Sequence, residues 1–100
     1  MSRAIRLHSF GGPEVLRLED VRIAAPGKGE VRIRQTAVGL NFIDVYGRTG
    51  LYPMPLPAGL GMEAAGVIVA TGPGVKDLKE GDRVAYVHSV PGAYADDRVL

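Results

Sequence analysis

Apolar and polar residues alternate along three stretches of the chain, at residues 4–10, 15–19 and 30–38. A period of two is the pattern of a strand with one buried face, so each stretch is predicted to be a strand. Gly-Gly-Pro at 11–13 separates the first two stretches, and we expect them to pair as a hairpin-like ribbon. In the third stretch the valine and isoleucine at its start should face inward, while the glutamate and the two arginines face water.

Two further stretches, residues 63–71 and 83–87, are almost continuously apolar. Such runs are typical of strands buried on both faces. Residues 93–100 read as the opening of another strand. Short strands separated by glycine and proline turns indicate an all-β barrel or sandwich.

The segment at residues 36–66 breaks this pattern and contains one predicted short helix, at residues 42–46. Asn41 is a good N-cap for this helix, and Asp44 three residues later forms a variant of the capping box. We expect the helix to end near Gly47. Because so short a helix is unstable alone, it must be held by packing.

The same segment holds the densest group of polar and aromatic side chains: Asn41, Asp44, Tyr46 and Tyr52. An amide, a carboxylate and two phenols can orient a planar ligand by hydrogen bonds and ring contacts. The following loop, at residues 50–61, carries three prolines that stiffen it, which suits the wall of a cleft. The alternative is structural: the first two residues cap the helix, the tyrosines belong to the core, and the loop is an ordinary surface loop.

Composition excludes several classes of function. The chain has 46% apolar and 23% charged residues, which is ordinary for a soluble globular domain. Its net charge of +1 comes from scattered basic residues, so neither nucleic acid nor an anionic membrane surface is an expected partner. No apolar run approaches a membrane span and no signal peptide is recognisable, so we expect a cytoplasmic protein.

A zinc site is not expected. The chain has no cysteine and only two histidines, His8 and His88, which we place in separate strands. A catalytic zinc needs about three protein ligands, and the thioether of Met62 is a poor one. Glu63 opens a buried strand, and we expect its carboxylate to form a structural salt bridge. Gly59-Leu60-Gly61 lacks the third glycine and the strand–loop–helix context of a phosphate-binding loop.

Five motifs cover nearly the whole chain: GGPEVL at 11–16, AVGLNFIDVYGRTGLYP at 37–53, GLGMEAAGVIVATGPGV at 59–75, KEGDRVAY at 79–86 and GAYAD at 92–96. In this order they resemble the N-terminal part of the medium-chain dehydrogenase/reductase superfamily, specifically the zinc-free quinone oxidoreductases related to zeta-crystallin. In zinc-dependent relatives the positions of Asn41 and Met62 hold a cysteine and a histidine ligand. The resemblance therefore also implies that zinc is absent.

The resemblance implies a mainly β fold, a GroES-like partly open β-barrel with one short helix. Residues 1–100 would be the catalytic domain of a longer enzyme, truncated at its C-terminus. The partner domain, a Rossmann fold that binds NADPH, would lie outside these residues. The chain alone is then expected to be inactive, and the parent is expected to be a homodimer.

For the site, the resemblance implies that Asn41 and Tyr46, with the residues between them, contact the nicotinamide end of NADPH; these residues are Asn41, Phe42, Ile43, Asp44, Val45 and Tyr46. Tyr52 would line the quinone pocket, and Tyr52 and Asn41 would be the catalytic residues. Hydride would pass from NADPH to a quinone or another conjugated carbonyl without zinc. Two alternatives stay open: reduction of an enone or enoyl thioester, and a non-catalytic GroES-like binding module.

Overall fold

A computed structural model describes residues 2–100, which form seven strands and one α-helix. A short 3-10 turn at Pro13–Val15 precedes the second strand. The elements in chain order are β1 (Ser2–Leu7), β2 (Arg17–Val21), β3 (Val31–Val38), α1 (Phe42–Thr49), β4 (Ala58–Gly59), β5 (Glu63–Thr71), β6 (Arg83–Val87) and β7 (Asp97–Val99).

The strands form two antiparallel sheets, with the orders β2-β1-β4 and β6-β5-β3-β7. In the first sheet Ile5 pairs with Leu18, so the predicted hairpin-like ribbon is confirmed. The segment before β7 joins the two sheets, because the Ile5 N–H donates to the Tyr94 carbonyl at 2.8 Å. Two open sheets joined in this way, with one helix, confirm the expected mainly β, partly open architecture.

The core lies on the second sheet and centres on Val31, Ile33 and Ile68, which are 8%, 3% and 1% exposed. The pairing of Ile33 with Ile68 places these side chains across neighbouring strands. The inward orientation predicted for the start of β3 is therefore confirmed. Arg32 differs from the prediction, since its Nε donates to Asp97 Oδ2 at 3.1 Å and the side chain is half-buried.

The two apolar strands are less buried than predicted. In β5 only alternate residues are fully buried, namely Ala64, Gly66 and Ile68. Among residues 2–100, strand β6 lies at the edge of its sheet next to β5, and Val87 is 80% exposed. The prediction of burial on both faces is wrong because an apolar run does not reveal a strand's place in the sheet.

Neither histidine lies within a strand, contrary to the prediction; each directly follows one. His8 Nε2 is 2.6 Å from Glu19 Oε1 across the ribbon of β1 and β2. His88 Nδ1 accepts a hydrogen bond from the Val90 N–H at 3.1 Å and so closes a turn after β6. Both imidazoles therefore have structural partners on the surface.

Helix α1 is one turn longer than predicted, and it ends at Thr49 rather than near Gly47. Gly47 is buried inside the helix because its neighbours are close: a Cβ there would lie 3.1 Å from Met54 Cε and 3.4 Å from Leu60 Cδ2. The helix stops at Gly50, which adopts a left-handed conformation (φ +86°) as the C-cap. The extra turn brings the helix against the loop that follows it.

Candidate active site

The first turn of α1 lies where β3 ends and β5 begins. Gly39, directly after β3, donates its N–H to the carbonyl of Glu63, the first residue of β5, at 3.1 Å. Asn41 follows as the N-cap of the helix. The end of β3 and the start of β5, the two longest strands of the larger sheet, thus fix the position of the polar first turn of the helix.

Asn41 is held by a side chain from β5. Its Nδ2 donates to Glu63 Oε2 at 3.0 Å. The Glu63 side chain lies against the backbone of Gly39, where a Cβ would overlap it. The salt bridge predicted for Glu63 is wrong, because the partner of its carboxylate is an amide. An amide nitrogen has two hydrogens, so Asn41 keeps a second donor for a ligand.

The buried side chain of Asp44 stabilises this turn. The residue is 6% exposed, and its Oδ2 accepts hydrogen bonds from the Asn41 N–H at 3.1 Å and from the Tyr94 hydroxyl at 2.6 Å. A buried carboxylate needs such partners to offset its lost hydration. The predicted capping role of Asp44 is confirmed.

Tyr94 is the residue in this network that the sequence motifs did not single out. Burial raises the pKa of its phenol well above the usual value, and the hydrogen bond to Asp44 and the nearby negative charge raise it further. The hydroxyl therefore keeps its proton at neutral pH and acts as a donor to Asp44.

Of the six residues expected to contact a cofactor, Asn41 is the N-cap, and the other five lie on two faces of α1. One face carries Phe42, Val45 and Tyr46, of which Phe42 is 80% exposed and Tyr46 37% exposed. The other face carries Ile43 and Asp44, which line a pocket. This division follows from the rotation of about 100° per residue in a helix, and it separates an open surface from an enclosed one.

Two tyrosines connect these faces. The rings of Tyr46 and Tyr52 pack edge to face with centroids 5.5 Å apart, and the Tyr52 N–H donates to the Tyr46 carbonyl at 3.2 Å. Tyr52 is 57% exposed and lines the same pocket as Ile43 and Asp44. The structure therefore brings Tyr46 and Tyr52 together.

The pocket itself has a volume of about 220 Å³ and lies between α1 and the proline-containing loop. It is smaller than the roughly 300–1,000 Å³ typical of pockets for drug-sized ligands, so it suits a single small ring. Its wall is mostly apolar, with one carboxylate and two hydroxyl groups. The lining residues are Ile43, Asp44, Gly47, Tyr52, Pro53, Met54, Leu60, Met62, Ser89 and Pro91.

Met54, Leu60 and Ser89 were missed as site residues because neither an apolar side chain nor a lone serine in a loop carries a chemical signal in a sequence. Within residues 2–100, no group of three or more His, Asp or Glu side chains is arranged to hold a metal ion. In the same part of the chain, no helix is long and apolar enough to cross a membrane.

The chain is similar to the N-terminal part of known oxidoreductases. The alcohol dehydrogenase GroES-like domain family matches residues 27–97. A quinone oxidoreductase of Pseudomonas aeruginosa is 52% identical over 101 residues, covering 100% of this chain and 31% of that protein. A 2-haloacrylate reductase of Burkholderia sp. is 42% identical over 104 residues, covering 99% of this chain and 31% of that protein.

Among solved structures, the Escherichia coli quinone oxidoreductase complexed with NADPH superimposes with a TM-score of 0.94 at 48% identity. The match covers 100% of this chain and 31% of that one. The chain thus spans less than a third of the length of these relatives.

Proposed function

Because the chain belongs to the alcohol dehydrogenase GroES-like domain family, within the medium-chain dehydrogenase/reductase superfamily, we propose that it forms the catalytic domain of an NADPH-dependent quinone oxidoreductase. The observation that carries the proposal is the identity of about half of its residues with quinone oxidoreductases, one of which has been solved with NADPH. The rest of the cofactor would be bound by a Rossmann domain outside residues 1–100.

The residues present fit the nicotinamide end of NADPH. Phe42, Val45 and Tyr46 offer an exposed apolar and aromatic face, and Asn41 offers an N–H donor beside it. NADPH, when bound, supplies a hydride. A dinucleotide is too large for the pocket on the other face of α1, so this open face is the better support for the cofactor.

We propose that the quinone ring enters this pocket at its Tyr52 edge, where Tyr52 packs against Tyr46 of the open face, because hydride transfer requires the quinone to contact the nicotinamide. Tyr52 lines the pocket beside Tyr46, and we propose that its hydroxyl donates to a quinone oxygen. Met54, Leu60 and Met62 give the apolar wall that keeps water from the ring. A quinone spreads the incoming charge over its ring and becomes a phenolate, and hydrogen-bond donors such as Tyr52 and Asn41 stabilise that charge.

This scheme needs no zinc. A metal in a dehydrogenase stabilises an alkoxide, in which the charge sits on one oxygen. Here the position expected for a ligand holds Asn41, and its Nδ2 is hydrogen-bonded to Glu63. We propose that the amide donor takes the place of the metal as the electrostatic partner of the substrate oxygen.

A second candidate function is the reduction of a conjugated carbon–carbon double bond. The similarity to a 2-haloacrylate reductase favours it, since an acrylate is a conjugated acid. The same face for NADPH and the same pocket would serve, with a smaller, anionic substrate. The buried carboxylate of Asp44 in the pocket wall disfavours an anion, so the neutral quinone remains the first choice.

The decisive experiment uses the full-length protein that contains this chain. NADPH absorbance is followed with benzoquinone, with 2-chloroacrylate and with neither acceptor. Quinone-dependent loss of NADPH supports the first proposal, and chloroacrylate-dependent loss alone supports the second. If neither acceptor consumes NADPH, a non-catalytic binding module becomes the better hypothesis.

Tyr52→Phe tests the role of the hydroxyl. The substitution keeps the ring packed against Tyr46 and removes only the donor. We expect turnover of quinone to fall about tenfold or more, as for loss of one donor to a developing oxyanion. Tyr86→Phe is the matched control, because the Tyr86 hydroxyl donates to Gln35 away from the pocket. Equal turnover in both variants would remove the Tyr52 hydroxyl from the mechanism.

We further propose that the full-length protein is a cytoplasmic homodimer. The dimer is implied by the family resemblance, and the cytoplasmic location is the expectation from the sequence. Light scattering during size-exclusion chromatography would test the assembly, and a monomeric mass would overturn it.

A further inference from the structure

The ring of Tyr94 lies in space that the absence of a side chain at Gly61 leaves open. Gly61, from Gly59-Leu60-Gly61, has φ +95°, and a Cβ there would lie only 2.6 Å from Tyr94 Cδ1. The Tyr94 N–H donates to the Leu60 carbonyl at 2.9 Å. Glycine at position 61 therefore leaves room for the aromatic ring, which comes from the GAYAD motif at 92–96.

From this position the Tyr94 hydroxyl reaches the start of α1. It donates to Asp44 Oδ2 at 2.6 Å, and the same oxygen accepts from the Asn41 N–H at 3.1 Å. One atom of a carboxylate that is 6% exposed thus links the segment before β7 to the N-cap of the helix. Asn41 is the N-cap of this helix, so the position of the first turn determines the position of Asn41.

We propose that Tyr94 is a positioning residue: through Asp44, its hydroxyl fixes the first turn of α1 and thereby orients the Asn41 amide toward the substrate. This inference rests on the proposed function, because it assigns Asn41 to the reaction. It also gives a role to Gly61, which leaves room for the ring of Tyr94.

The chemistry of the pair suits this role. A phenol is protonated throughout the neutral range even at its usual pKa, so the Tyr94 hydroxyl donates to the carboxylate there, and the raised pKa of Tyr94 extends this to alkaline pH. Tyr94 does not line the pocket between α1 and the proline-containing loop, whereas Asp44 does. The hydroxyl therefore acts on the site through Asp44 and not by touching the ring-binding pocket.

The test compares Tyr94→Phe with Tyr86→Phe in the full-length protein. Phenylalanine keeps the ring against Gly61 and removes only the hydroxyl. Tyr86 is the matched control, since its hydroxyl donates to Gln35, which holds the carbonyls on either side of Tyr94, but makes no contact with Asp44. Two readouts are needed: amide hydrogen exchange of residues 41–49, which include the Asn41 N–H bonded to Asp44, and the separate values of kcat and KM for quinone reduction.

We expect exchange in the first turn of α1 to become about tenfold faster in Tyr94→Phe, because a hydrogen bond to a charged acceptor is lost. We expect kcat to fall about tenfold while KM for the quinone changes less than about twofold, since the lost orientation matters most in the transition state. Tyr86→Phe should change neither readout.

Unchanged exchange and unchanged kcat in Tyr94→Phe would overturn the inference. Faster exchange with an unchanged kcat would also overturn it, because the hydrogen bond would then be structural only. Equal effects in both tyrosine variants would point to general destabilisation and count against it. If the wild-type protein reduces no quinone, the proposed function fails, and the exchange comparison alone decides whether Tyr94 holds the turn.

Discussion

Replacing Asp44 by alanine removes the acceptor shared by the Asn41 N–H and the Tyr94 hydroxyl, 3.1 Å and 2.6 Å away. Hydrogen bonds to a charged group each contribute about 1.5–3 kcal/mol to the free energy of unfolding. A carboxylate in the first helical turn adds about 0.3–1 kcal/mol. The gain from no longer burying a charge offsets part of this sum, so we expect a loss of about 3 kcal/mol.

A double-mutant cycle separates the Tyr94 contribution. Tyr94→Phe alone should cost about 1.5–3 kcal/mol, and the loss in the double variant should fall short of the two single losses combined by about 1.5 kcal/mol. The free energies come from urea unfolding of the full-length protein, followed by circular dichroism. Tyr86→Phe combined with Asp44→Ala serves as the control and should be additive within about 0.5 kcal/mol, because the two residues share no partner.

A coupling free energy between Asp44 and Tyr94 below about 0.5 kcal/mol would refute this reasoning. The 2.6 Å hydrogen bond from Tyr94 to Asp44 would then stabilise the folded state no more than hydrogen bonds from these groups to water. The same result would remove the physical basis for the positioning role of Tyr94.

Three further predictions concern the same framework. Gly61→Ala should lower the free energy of unfolding by about 2–4 kcal/mol in urea titrations, because a side chain at φ +95° is strained and its Cβ would lie 2.6 Å from Tyr94; a loss below about 1 kcal/mol would contradict the close approach. Ile68→Ala should cost about 2–5 kcal/mol, since this fully buried side chain packs on Val31 and Ile33; a melting temperature equal to that of the wild type would contradict the core assignment. The pKa of Tyr94 is higher in the folded state than in the unfolded chain, so its contribution to stability is complete below about pH 10 and is lost as the pH rises further. The urea midpoint should therefore fall more steeply above about pH 10 in the wild type than in Tyr94→Phe, and equal slopes would contradict the shift.

Local patterns predicted those parts of the fold that depend on neighbouring residues. The alternation at the start of β3 identified the inward faces of Val31 and Ile33, and the Gly-Gly-Pro turn identified the pairing of β1 with β2. The capping sequence placed the start of α1 correctly, because the Asn41–Asp44 bond spans only three residues.

The errors occurred where the outcome depends on distant parts of the chain. Gly47 was taken as the end of the helix, but its packing against Met54 and Leu60 keeps it helical, and Gly50 provides the cap. Two glycines three residues apart give the same local signal. The edge position of β6 likewise depends on the order of strands in the sheet.

The candidate site was predicted in its local part only. Asn41, Asp44, Tyr46 and Tyr52 lie within twelve positions, and the capping and aromatic contacts among them are local. The partner of Asp44, Tyr94, is 50 residues away, and the partner of Asn41, Glu63, is 22 residues away. Spacing in the sequence contains no information about such pairs, so the network that holds the helix required the structure.

We propose that the full-length protein reduces a quinone with NADPH and without zinc. The deciding measurement is benzoquinone-dependent NADPH oxidation by the full-length protein before and after dialysis against a strong chelator. We expect the same kcat in both preparations. Loss of activity on chelation, restored by added zinc, would contradict it.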